Sequence, residues 1–208
     1  MFDFNKKELK IFKSLKTPKQ VQDFLDTLKI NFEENGDTCM SPRMVLKTGK
    51  AHCIEGAMLA AVALRFQGRK PLLVDLTTTK NDFDHVITVF KEHNCWGAIT
   101  KTNHSVLRYR EPVYKTIREL VMSFFHEYFL DDGRKTLRSY SMPVNLSKLD
   151  NTGWMTSETD VWQVPTLLIK NDHKKILSRS QIANLRKAHK VEIKAGNIVE
   201  WKNNLKKF

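Results

Sequence analysis

From Cys53 to about Phe66 the chain reads Cys-Ile-Glu-Gly-Ala-Met-Leu-Ala-Ala-Val-Ala-Leu-Arg-Phe, small and apolar apart from two charged residues. A helix that is apolar on almost every side has no face to turn to water, so it must lie inside the fold with other elements packed around it. Thr48-Gly49-Lys50 breaks the chain before it, and Gln67-Gly68 stops it. The Gly56-Ala57 pair near its start predicts close contact with other backbone.

The helix also begins on a cysteine. Unpaired amide N–H groups and the positive end of the helix dipole favour thiolate over thiol, and such surroundings bring a cysteine from about 8.5 to about 3.5–7.5. Downstream, Asp82-Phe83-Asp84-His85 leads into Val86-Ile87-Thr88-Val89-Phe90, an apolar strand pattern. A thiol at a helix start and a histidine at the head of a strand together make a nucleophile and its base. An imidazole titrating near 6.5 can take the thiol proton and return it to a leaving group. Cys53 is therefore the expected nucleophile and His85 the expected base. Cys39 and Cys95 sit at no such helix start and are read as small buried hydrophobes. His52 adjoins the nucleophile and is a candidate contributor to its field, but its side chain is expected to point elsewhere.

An imidazole acting as base needs a third group to orient it. The strand from His85 and a second strand from Trp96 to Thr100 form a predicted hairpin across Lys91 to Cys95. A loop at residues 91 to 94 sets His85 opposite Thr100, and a loop one residue later sets it opposite Lys101 or Thr102. Asn103 follows, and its amide oxygen is the better chemical match. Thr100 and Asn103 both stand as candidate orienting residues.

The other elements follow from caps and periodicity. Thr17-Pro18-Lys19-Gln20 opens a helix that buries Val21, Phe24, Leu25 and Leu28, and Ser41-Pro42 opens a short one. Pro71 to Thr77 reads as a strand. Glu111-Pro112 is expected to open a long helix through about Phe129, ended by Asp131-Asp132-Gly133. Beyond it, strands are expected at Thr136 to Leu146 (interrupted at Pro143) and Val164 to Ile169. Ser178 or Ser180 is expected to cap a short helix, and Val191-Glu192-Ile193 with Ile198 to Trp201 a terminal hairpin. The fold class is α+β, one domain over residues 1–208, with a core at about 17–130 and a β-rich C-terminal extension at about 131–208.

Composition narrows the function. With 41% apolar and 28% charged residues the chain has a globular balance, and charges interrupt every apolar run before membrane-spanning length. Met1-Phe2-Asp3-Phe4-Asn5-Lys6-Lys7 lacks the apolar core of a secretory signal, so a cytoplasmic location is expected. Three cysteines without a CxxC pair, and histidines without HExxH spacing, predict neither a disulfide scaffold nor a metal site, and no cofactor is expected. The net charge of +12 attracts polyanions, but lysines are scattered and nucleic-acid motifs are missing, so only nonspecific nucleic-acid binding is expected.

From about Thr17 to Thr102 the chain resembles the transglutaminase-like superfamily, the papain-fold group that includes transglutaminases and peptide N-glycanases. The likeness is carried by Ser41-Pro42, Gly49, Cys53 and its helix, Gly68, a strand, Asp84-His85 opening the next strand, and Trp96-Gly97. It implies a papain-like core, Cys53 as nucleophile, His85 as base, and a peptide or other amide or ester as substrate. The family usually has an aspartate about four residues after that tryptophan, where this chain has Thr100. That departure implies an alternative orienter, Asn103, or a catalytically silent module that binds a polyanionic or acidic partner.

Overall fold

The computed structural model describes residues 3–202. Its first half is helical: α1 (Lys6–Ser14), α2 (Pro18–Thr27), the two-residue β1 (Lys29–Ile30), α3 (Pro42–Thr48), β2 (Lys50–Ala51), and α4 (Cys53–Phe66). The proline-led caps hold as read: Thr17 accepts from the Gln20 N–H, and Ser41 accepts from the Met44 N–H. Gly49 closes α3 in the left-handed region, at φ 67°, which glycine adopts without cost.

Four strands then run consecutively: β3 (Leu72–Thr77), β4 (His85–Glu92), β5 (Cys95–Ile99) and β6 (Arg110–Tyr114). They pair antiparallel in the order β6-β5-β4-β3. The β4–β5 hairpin closes at Glu92↔Cys95, around His93 and Asn94 with φ of 46° and 61°. Both central residues in the left-handed region make a turn whose twist suits a two-residue hairpin.

Next come α5 (Ile117–Met122) and a single 3₁₀ turn at Phe125–Glu127. The single long helix expected from Glu111 to Phe129 is corrected here. Glu111 and Pro112 belong to β6, an edge strand, where a proline's missing N–H removes no ladder bond from a further neighbour. Thr116 caps α5 instead, accepting from the Glu119 N–H. The apolar periodicity survives the change, since Ile117, Leu120, Val121, Phe124, Phe125 and Tyr128 are all buried.

The remaining elements are β7 (Ser139–Ser141), β8 (Val144–Asn145), a 3₁₀ helix at Leu146–Thr152, α6 (Gln163–Ile169), β9 (His173–Lys175), α7 (Arg179–Ala183) and α8 (Lys190–Gly196). The strand interrupted at Pro143 is present, as β7 and β8. Ser178 caps α7 as expected. The strand at Val164–Ile169 is a helix that buries Val164 and Leu168, four residues apart. The terminal hairpin is also corrected. Residues 190–196 are helical, capped by Glu192 accepting from the His189 N–H. Residues 198–200 instead join 103–105 through Ser105 N–H to Ile198 O, Glu200 N–H to Asn103 O, and a bridge at His104↔Val199. The C-terminal part is therefore mixed rather than β-rich. It also completes the sheet: β7 and β8 pair with β3, which places β3 in its interior.

Two apolar clusters cover the two faces of this sheet. One holds α4, with Ala57 to Leu64 wholly buried, against Leu73, Val86 and Phe90, and includes Trp154 from the C-terminal part. The other packs α5 and Tyr128 against Val74, Leu76, Ile87 and Val89. Thr88 ties α4 to β4, its hydroxyl donating to the Ala57 carbonyl at 2.6 Å. Gly56 permits a close crossing: a Cβ there would lie 2.5 Å from Cβ of Lys101. Lys101 is itself buried, and its ammonium donates to the Leu25 and Leu28 carbonyls, at 3.0 and 2.5 Å, where α2 ends. Cations at a helix C-terminus are favoured there.

Candidate active site

The start of α4 and the head of β4 open on one cavity of about 410 Å³, lined among others by Cys53, His85, Thr102, Asn103, Leu107 and Tyr128. Cys53 is partly exposed at the first turn of α4, and His85 is buried as the first residue of β4. The two residues singled out from the sequence thus share a cleft, as expected. Burial alone would push the Cys53 thiol up. Hydrogen bonds with His52 and His85, reinforced by the charges of both rings, outweigh it and bring the thiol down to about 5.

His52, whose side chain is expected from the sequence to point elsewhere, faces the thiol. Its Nδ1 stands 4.0 Å from Cys53 Sγ. Adjacent residues inside a helix diverge, but His52 is the N-cap of α4, with extended backbone at φ −97° and ψ −171°. That conformation brings its ring back over the first turn. The opposite edge of the ring is occupied too. Nε2 lies 3.0 Å from the Thr38 carbonyl, 3.5 Å from Glu33 Oε1 and 3.4 Å from Glu55 Oε1. Burial disfavours a charged ring, yet the bond to Cys53 and the charges of Cys53 and Glu55 raise His52 to about 9.

Glu55 organises this corner, and the sequence reading missed it. It is wholly buried and accepts from Thr38 Oγ1 at 2.9 Å, Met40 N–H at 2.9 Å, His52 N–H at 2.9 Å and Asn31 Nδ2 at 3.1 Å. Its only sequence signal is its place three residues after His52, the N3 position of a capping box. The other three donors come from a loop 15 to 24 residues earlier, a distance that no local pattern reveals.

The orienting residues expected from the sequence do other work. Continuing the register from Thr88↔Ile99 sets Ile87, not His85, opposite Thr100. Thr100 is buried, with its hydroxyl donating to the Leu107 carbonyl at 2.7 Å and its N–H to Gln22 at 2.9 Å. Asn103 clamps Trp201 with both ends of its amide, donating to the carbonyl at 2.9 Å and accepting from the N–H at 2.8 Å. Neither is bonded to His85, whose buried Nε2 has no hydrogen-bond partner among the described residues. The Tyr128 hydroxyl, on the same cavity, is equally buried and unpartnered. Asp84 accepts from Thr78 N–H at 2.7 Å and so closes the turn before β4.

The other cysteines keep their structural reading. Cys39 is buried, and burial first, then the charges of Glu55 and Asp160, pushes its thiol up to about 12. Cys95 is buried in β5, and all three thiols are free. Among the described residues no cluster of His, Cys, Asp and Glu is arranged to hold a metal ion, and no helix is long and apolar enough to cross a membrane.

The cavity wall opposes the overall charge. Asp82, Asp84, Glu127 and Asp131 line it against one lysine, Lys101, and Glu127 is paired with Arg110 at 2.6 Å. A negative lining in a +12 chain makes this cleft a poor seat for a polyanion. No family model and no curated protein matches this sequence, so the functional reading rests on the chemistry of the site.

Proposed function

We propose that this chain is a cysteine hydrolase or acyltransferase with a transglutaminase-like, papain-like core, acting on an amide or ester bond. The observation that carries the reading is that Cys53, at the start of α4, and His85, at the head of β4, line one cavity, where the neighbouring imidazoles favour the thiolate. Cys53 attacks the carbonyl, and the carbonyl π electrons move to oxygen. The backbone N–H of Cys53, at a helix start where amides lack intrahelical acceptors, is a donor for that oxyanion. The tetrahedral adduct collapses to a thioester, which water or an amine resolves, with His85 as base.

Incubation with p-nitrophenyl acetate tests this. The expected result is an acetyl adduct on Cys53 that turns over, lost in Cys53→Ala, with turnover lost in His85→Ala. Acetylation spread evenly over Cys39, Cys53 and Cys95 would defeat the reading.

The unpartnered Nε2 of His85 favours one second reading, a module that keeps this fold without turnover and binds a polyanionic or acidic partner. Such a partner would need a face other than the acid-lined cavity. Salt-sensitive polyanion binding that survives Cys53→Ala, in a protein that never acylates, selects that alternative.

A further inference from the structure

We infer that His52 is a second catalytic imidazole, the cation that holds Cys53 as a thiolate and protonates the leaving group, with His85 left to activate the attacking water. This rests on the nucleophile reading above and extends it from one histidine to two.

The geometry separates the two rings. An imidazolium carries two N–H groups and needs an acceptor for each. His52 has both, with Cys53 Sγ beside Nδ1 and the Thr38 carbonyl at 3.0 Å from Nε2. His85 has no such pair, since its Nε2 is buried and without a partner among the described residues. A permanent cation with an unmet buried N–H is costly, so the charge belongs on His52.

The charges around His52 agree. Cys53 and Glu55 face it from α4 and Glu33 from the loop before α3. Cys39 feels the charge of Glu55, His85 acts on the sulfur, and Lys50 of β2 is exposed. Two carboxylates against the Nε2 edge are what an imidazolium requires and a neutral ring does not. The raised His52 follows from these contacts, and its bond and charge are among the causes that lower Cys53, together with those of His85.

The proton balance then closes without a further reactant. Thiolate attack forms the C–S bond and moves a carbonyl electron pair to oxygen. Collapse breaks the C–N bond, and the leaving amine takes its proton from the His52 imidazolium. Acylation removes the negative charge on sulfur that held that proton, so its release coincides with the need for it. In deacylation His85 takes a proton from the attacking water, the C–S bond breaks, and sulfur departs as thiolate. The proton on His85 then returns by way of the released thiolate to His52, which restores the starting state.

The rate of Cys53 modification by iodoacetamide, located by peptide mass spectrometry and followed against pH, reads the thiolate directly. The wild-type midpoint is expected well below the ordinary thiol value of about 8.5. In His52→Asn it should move towards the ordinary thiol value of about 8.5, with labelling at pH 6 down by at least about tenfold. In His85→Asn the midpoint should stay within about one unit of wild type. A midpoint that moves in His85→Asn and stays in His52→Asn overturns the inference while leaving Cys53 the nucleophile. An ordinary midpoint in wild type defeats both readings. If His52→Asn does not fold, the His52 ring can be titrated by NMR in wild type and Cys53→Ala. Its midpoint should fall by at least about one unit when the sulfur is removed, and an unchanged midpoint refutes the ion pair.

Discussion

Substitution of Glu55 by glutamine keeps the shape of the most buried acid in the protein and removes its charge. The carboxylate takes Met40 N–H on Oε1 and His52 N–H on Oε2, so an amide NH₂ in either orientation faces one backbone donor. Losing one charge-assisted bond costs about 1.5–3 kcal/mol, and a buried donor left without an acceptor adds about 1–3 kcal/mol. Relief from desolvating a carboxylate offsets part of this, leaving a net loss of about 3–4 kcal/mol. That is a large share of a typical stability of about 5–15 kcal/mol. The site should respond in the same experiment. Without the Glu55 charge His52 titrates lower, its hold on the thiolate weakens, and the Cys53 thiol rises. Urea unfolding gives the first quantity, and the pH midpoint of thiol alkylation gives the second. A loss below about 1 kcal/mol, or a destabilised protein with an unchanged thiol midpoint, would refute the account of Glu55 as the anchor of this corner.

Gly56→Ala should destabilise by about 1–3 kcal/mol in a urea melt, because its Cβ would sit 2.5 Å from Cβ of Lys101. This is expected despite the roughly 1 kcal/mol that alanine ordinarily adds to a helix, and a net gain would show that the crossing is loose. The Cys53–His52 pair also makes stability depend on pH. The depressed thiol contributes stability that is complete above its ordinary value and lost as pH falls through about 5. The raised His52 contributes stability that is complete below about 6.5 and lost as pH rises through about 9. Thermal melts should therefore strengthen as pH rises from about 5 to about 6.5, where only the thiolate contribution changes, and level off above, where the two slopes oppose each other; Cys53→Ala should lose that rise. Asn103→Ala removes both bonds to Trp201. It should speed amide exchange and proteolysis around residues 198–202 while Cys53 labelling stays within about twofold; a much larger loss of labelling would return Asn103 to the chemistry.

The elements legible in the sequence are those whose signals are local. A proline after a capping hydroxyl marks a helix start at Thr17 and at Ser41 because that geometry is set within four residues. The apolar run after Cys53 announces a buried helix, and the strand after His85 is plain from its side chains. Short apolar runs do not carry that information. Val164 to Ile169 and Val191 to Ile193 suit strand or helix equally, and what they pack against decides. The same holds for the site. The thiol at a helix start and the histidine heading a strand are visible along the chain, as is the absence of an aspartate at Thr100. The pairing of Cys53 with its immediate neighbour is not visible, because it depends on the extended backbone at His52 and on Glu33, Thr38 and Glu55 meeting across a folded loop. Nor could any local pattern show that Thr100 and Asn103 would be engaged by Leu107 and Trp201. Buried polar groups take whichever partner the packed chain brings within reach, and that choice is made over distances the linear order does not encode.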